Sequence, residues 1–197
     1  MHRTGRDSSG SSPNSFDVAG AYNGLFIEAS KTGRRSTGFR DVGDGLSNSV
    51  AFSERVKGIG TNANAYDNTK PSSTTVSISV PAAENTPDPA YTLCKATAPS
   101  ASGTLWSGRA AGRAWHIGYP TTARFVHVMP PNTRSCGYVG EGGSMRGVFG
   151  ASSRHSGLVN VGMVDGSVRS VKNSIAVATW WALGTINNNE VIDSSSL

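Results

Sequence analysis

The clearest pattern along the chain is the alternation of apolar and polar positions between residues 155 and 172. The segment LVNVGM, residues 158–163, places Val159, Val161 and Met163 on one face. An Asp-Gly pair, Asp165-Gly166, follows, and then a second alternating run, SVRSVK. Alternation with period two predicts strands, and Asp-Gly between two such runs predicts a hairpin. A two-residue type I′ turn puts Val164 opposite Ser167, Met163 opposite Val168 and Val161 opposite Ser170. Val168 then joins Val159, Val161 and Met163 on the core face. Elsewhere the pattern is shorter. YNGLFIEAS, 22–30, reads as a strand with Leu25 and Ile27 on one side. FRDVGDGLSNSVAFSERV, 39–56, reads as a turn around Asp41–Gly45 and then a strand in which Val50 and Phe52 share a face. Further strands are expected over 74–80 and 123–128, the second stopped by Pro130-Pro131. GYVGEGGSMRGVFG, 137–150, reads as a flexible glycine loop. The segment 173–185 reads as a short helix capped by Asn173 or Ser174 and ended by Gly184, with Ile175, Ala178, Ala182 and Leu183 facing the sheet.

Between these elements the chain is rich in turn formers. Residues 1–15 read as a disordered polar leader, residues 16–197 as a single globular domain, and 57–104 within it as a loop-rich excursion and variable outward face. The expected class is α+β and β-rich: an antiparallel sheet with short helices. Composition agrees. Of 197 residues, 37% are apolar and 16% charged, and 24 are glycine. That balance suits an exported or surface-displayed domain better than a cytosolic enzyme. No apolar run spans a membrane, and no secretory signal is visible at the start. The net charge of +5 is scattered rather than clustered on one element, so no nucleic-acid partner is expected.

Cys94 and Cys136 lack metal or redox spacing. In an oxidising compartment they are expected to form one disulfide, contributing about 3–4 kcal/mol in the chain-entropy model. In a reducing one they are small buried hydrophobes. His155 and Asp165 raise the question of a catalytic or metal pair. The turn explains Asp165 and Gly166 without chemistry, and most of the ten-residue separation runs along a strand. His155 is therefore expected to bond a backbone group or a loop at the open end of the hairpin. A zinc site from His116, His127, His155 and the cysteines lacks ligand spacing. Asp41 and Asp44, with Ser47 and Asn48 nearby, form an oxygen-rich loop that is a candidate for calcium and equally a self-bonded turn. The sequence carries no G-x-S-x-G elbow and no phosphate-binding loop, so an enzyme is not expected and no cofactor is required. Trp180-Trp181 is either a sugar-stacking platform or a pair with one ring in the core and the other half-covering the sheet.

RHSGLVNVGMVDGSV resembles the pattern His, nine residues, Asp-Gly, carried by His155, Asp165 and Gly166. This marks the prepilin-type, processing-associated H-X9-DG family of planctomycete bacteria, also called domain of unknown function 1559. Three further blocks resemble the family in order. They are Asp44, Gly45, Ser47, Asn48 and Glu54; then Pro130, Pro131, Asn132 and Cys136; then TWWALGTINNNEV. Ser49 and Ser53 stand where the family usually has Thr and Gly. The resemblance implies the globular part of a pilin-like fold on the cell envelope or outside the cell. It implies a non-enzymatic structural or assembly role in the envelope or a surface filament, self-association or other pilin-like subunits as partners, and membrane contact only through an N-terminal helix not seen in this sequence. A second expectation, from a classification of the family near solute-binding proteins, is an extracytoplasmic module for a solute or glycan.

Overall fold

The computed structural model describes residues 24–26, 37–57, 75–79, 87–98, 112, 116, 122–138, 147–190, 192 and 197. The fold is α+β, with two short helices and two three-stranded sheets among the described residues. The first sheet is antiparallel, in the order β1 (Val50–Ser53), β5 (Leu158–Met163), β6 (Val168–Lys172). The second has the order β2 (Thr75–Ile78), β3 (Ser135–Tyr138), β4 (Gly147–Val148) and is mixed, because β2 runs parallel to β3. Helix α1 is Pro87–Ala96 and α2 is Val177–Leu183. Among the described residues no helix is long and apolar enough to cross a membrane.

The hairpin forms, but with a different turn. Its register pairs Val159 with Val171, Val161 with Arg169 and Gly162 with Val168. The loop is Val164-Asp165-Gly166, three residues rather than two. Gly166 N donates to Met163 O at 3.1 Å, and Met163 N donates to Ser167 O at 2.8 Å. Only Gly166 has a positive φ, at 86°. This is the turn-plus-bulge geometry of a three-residue hairpin, not type I′. The added loop residue moves β6 by one position, which exchanges its faces. Val171 enters the core in place of Val168, which is 71% exposed.

A second irregularity lies in β1. The pairing shifts between Val50, opposite Met163, and Phe52, opposite Gly162. A bulge puts two residues opposite one, so alternation is lost there. Val50 and Ala51 are both buried, and Phe52 is 66% exposed instead of sharing the face of Val50.

The excursion 57–104 is not simply an outward face. β2 forms where alternation predicted it, and Val76 and Ile78 are buried. α1 arises in a stretch that reads as loop because of Pro87 and Pro89. Both prolines lie in the first helical turn, where the missing N–H has no intrahelical partner to lose. Ala90 and Cys94, four residues apart, face inward. The last carbonyls are satisfied by Arg134, whose Nε donates to Cys94 O at 3.1 Å and Nη2 to Lys95 O at 2.5 Å. The Cys94–Cys136 disulfide ties α1 to β3.

Other expectations change in detail. Gly24–Phe26 form a bend rather than strand, and the rest of 22–30 lies outside the described residues, as do residues 1–15. Residues 123–128 join neither ladder, although Phe125–Met129 are all buried and Val126 N donates to Phe149 O at 2.8 Å. The ends of the glycine segment are β3 and β4, and 139–146 lie outside the described residues. α2 starts after Ala176 with no side-chain cap, so neither Asn173 nor Ser174 caps it. Ala178 is exposed, while Trp180 points inward. Gly184 does end the helix: a Cβ there would stand 2.5 Å from the Cβ of buried His127.

Two apolar clusters result. One gathers Val50, Val159, Val161, Met163, Val171 and α2 residues under the first sheet. The other gathers β2, β3, β4 and the inner side of α1. Trp181 joins them, packing on the first cluster, meeting Tyr91 edge-on at 5.7 Å and donating its Nε1–H to Val128 O at 2.9 Å.

Candidate functional site

The polar residues singled out in the sequence converge on the margins of the first sheet. Pairing of Phe52 with Gly162 and of Gly162 with Val168 defines its outer face. On the same face, two residues along, lie Glu54, Asn160 and Ser170. Ser170 Oγ donates to Asn160 Oδ1 at 2.9 Å, and Asn160 Nδ2 donates to Glu54 Oε1 at 3.1 Å. Asn160 N–H reaches Glu54 Oε2 at 3.2 Å, and His155 Nε2 lies 3.2 Å from Glu54 Oε1. A hydrogen-bonded row thus crosses three strands and ends on His155. Burial pushes the Glu54 carboxyl up, but the side-chain and backbone bonds from Asn160, with the nearby His155, outweigh it and hold the carboxyl below its ordinary value.

His155 is therefore placed as expected, on a loop at the open end of the hairpin. Its partner is a carboxylate rather than a backbone group. Asp165 is occupied elsewhere: its Oδ1 accepts from Ser167 N at 2.8 Å and Ser167 Oγ at 2.6 Å. Those bonds from Ser167 lower its pKa. The two motif residues share no bonding partner among the described residues, so the motif spacing marks the two ends of one hairpin arm rather than a pair.

Asp44 closes a different joint. Its Oδ1 accepts from Asn188 N at 2.9 Å and Asn189 N at 2.6 Å. Asp44 N donates to Ile186 O, and Asn48 Nδ2 donates to Asp44 O, both at 3.0 Å. Gly45, at φ 99°, allows the turn between them. Ser47 lies in the following turn. Thr185 Oγ1 sits 2.6 Å from Glu190 Oε2, and Ser49 Oγ donates to Thr185 O at 2.9 Å. The first family-like block is thereby stitched to the closing one. Asp41 accepts from Gly38 N at 2.7 Å within the 3-10 turn Phe39–Asp41. Asp41 thus bonds within its own turn, whereas Asp44 directs its carboxylate at the distant backbone N–H groups of Asn188 and Asn189 rather than into a self-bonded turn. Among the described residues no group of three or more His, Cys, Asp or Glu is placed to hold a metal ion.

Asn132 makes the third joint. Its φ is 59°, a left-handed conformation that Asn tolerates. Nδ2 donates to Leu158 O at 3.0 Å and Asn173 Oδ1 at 2.8 Å, while Oδ1 accepts from Ser153 N at 2.7 Å. Pro131, before it, is buried. Asn132 therefore clasps both strands of the hairpin at their open end.

Sequence reasoning missed Asn160 and Ser170, read Asn173 only as a helix cap, and held Thr185 only as part of the closing block. Asn160 and Ser170 were legible as polar positions on alternating strands, but their partnership depends on the register that the turn sets. The tryptophans divide as the packing alternative expected: Trp180 is buried against His127, ring centroids 4.2 Å apart, and Trp181 half-covers. No sugar platform is formed by the pair.

A family model described as a protein of unknown function (DUF1559) matches residues 2–178. The chain belongs to that family. No curated protein and no solved structure matches it.

Proposed function

We propose, from membership of this family of unknown function, that the chain is a non-enzymatic structural or assembly protein of the cell envelope, pseudopilin-like in role. The observation that carries this reading is how the motif residues are used. Asp44, Asn48, Glu54, Asn132 and Asp165 direct their side-chain polar atoms to internal hydrogen bonds that fasten turns and strand ends. A catalytic or solute site would instead leave such groups converging on open space. The disulfide supports a place in an oxidising compartment, since such bonds persist outside the cytosol. The alternative, a solute- or glycan-binding module, gains nothing from Trp180, whose ring is in the core.

The test is recovery of the native protein from its own cells. Expected is an envelope or sheared-surface fraction, Cys94–Cys136 oxidised, and cross-linking to pilin-like subunits or to itself. A monomeric protein in the cytosolic fraction with both thiols free would overturn the reading. So would a small molecule that co-purifies at one per chain and is lost on mutation of surface polar groups.

A further inference from the structure

We infer that the open edge of the first sheet, strand β6, is an isologous interface on which a second copy of this chain pairs antiparallel about Ser170. The inference rests on the assembly reading above and names the partner.

The backbone fixes which groups are available. Met163 N donates to Ser167 O and Asn173 N donates to Gly157 O, so the residues paired 163–167 and 157–173 are hydrogen-bonded pairs. In an antiparallel ladder such pairs alternate, so 161–169 and 159–171 are bonded pairs too. Arg169 and Val171 therefore spend their N–H and C=O groups on β5. Those of Val168, Ser170 and Lys172 point away from the sheet, and apart from Ile175 N, which donates to Lys172 O, no described residue bonds to them. Their side chains are exposed. Such an edge takes an extended strand.

The side chains select the strand. A two-fold pairing centred on Ser170 engages all five residues of β6. It sets Arg169 opposite Val171 and Lys172 opposite Val168, with no like charges facing. A shift to centre on Arg169 would place two guanidinium groups opposite each other, which is destabilising. In the Ser170 register the aliphatic stem of Lys172 covers the exposed methyls of Val168. The row Glu54–Asn160–Ser170 also meets its own copy at the two-fold point, so the two rows lie in line across a six-stranded sheet. Self-complementarity of this kind is what a closed dimer requires.

The full chain with S170C, its native cysteines oxidised, is tested with a short thiol–thiol cross-linker, beside V168C as control. Cα atoms of a directly opposed bonded pair stand about 5.5 Å apart. Two copies of position 168 would be about 13 Å apart along the strands. Expected is a covalent dimer from S170C at least tenfold faster than from V168C, and light scattering of the unmodified chain at twice 20.5 kDa. V168K, on the solvent face, sets a cation opposite Lys172 and is expected to return the mass to that of one chain with an unchanged circular dichroism spectrum. Equal cross-linking at 170 and 168, or a chain that stays monomeric at hundreds of micromolar, would overturn the interface. An envelope-located protein that is monomeric by these tests would sink this inference alone and leave the envelope reading standing.

Discussion

Asn132 shows how much a single side chain holds in this fold. It joins Ser153, Leu158 and Asn173 through three hydrogen bonds, from a left-handed backbone. Each such bond contributes about 1 kcal/mol net. N132A is expected to cost about 2–3 kcal/mol in urea denaturation. N132G should cost about 1 kcal/mol less than N132A, because glycine accepts the positive φ without strain. Equal costs would mean that the backbone conformation is not the issue. Glu54 gives a pH-dependent counterpart. Its folded-state pKa is below the unfolded value of 4.5, so it contributes stability above that value, which is lost as pH falls through the folded pKa. The melting temperature of the unaltered chain should therefore fall more steeply below about pH 4.5 than that of E54Q. Parallel curves would show that the carboxylate carries no folding linkage. Neither residue's partners were legible from the sequence. Motif resemblance marked Asn132 and Glu54, but nothing local to them names Asn173 or Asn160, which lie 41 and 106 residues away along the chain.

At the level of elements, the sequence located strands better than it oriented them. Period-two alternation found β1, β2, β5 and β6, because alternation reports burial on one face. It failed where one residue was added: the third loop residue after Met163 and the bulge at Ala51. Each changes which face follows, and neither has a local signal beyond a glycine or a small side chain. α1 was hidden by reading proline as a breaker when two prolines occupied the one turn that tolerates them. The hairpin loop supplies a direct check. Only Gly166 has φ > 0, so G166A is expected to cost about 1–2 kcal/mol and G166N distinctly less. A type I′ turn would instead require positive φ at Asp165 as well. A β-branched residue is then informative: D165T should be tolerated within about 1 kcal/mol, apart from the lost bonds to Ser167. A loss of several kcal/mol would favour the two-residue turn.

On the scale of the whole molecule, the two apolar clusters depend on different fasteners. The first sheet is held by side chains that cross between strands and by the closing segment at Asp44. The second is built from pieces remote in sequence, with β2 and β3 in parallel and α1 laid against β2 and β4. A parallel pair has no hairpin to keep its strands together. There the Cys94–Cys136 bond substitutes for local connectivity, closing a loop with a sequence separation of 42 between two fully buried side chains. Such a loop contributes about 3–4 kcal/mol by restricting the unfolded chain. That stabilisation should be spread unevenly. Reduction, or C94A/C136A, is expected to speed amide exchange in β2, β3 and α1 by two orders of magnitude or more, if opening there is local. The amides of β5 and β6 should change far less, since their bonds do not pass through the cysteines. Hydrogen exchange read by mass spectrometry separates the cases. Uniform acceleration across both sheets would mean that the clusters unfold as one unit, with Trp181 coupling them through Tyr91 and Val128. Acceleration confined to the second sheet would make the disulfide a local clamp, and the first sheet a part that stands without it in a reducing compartment.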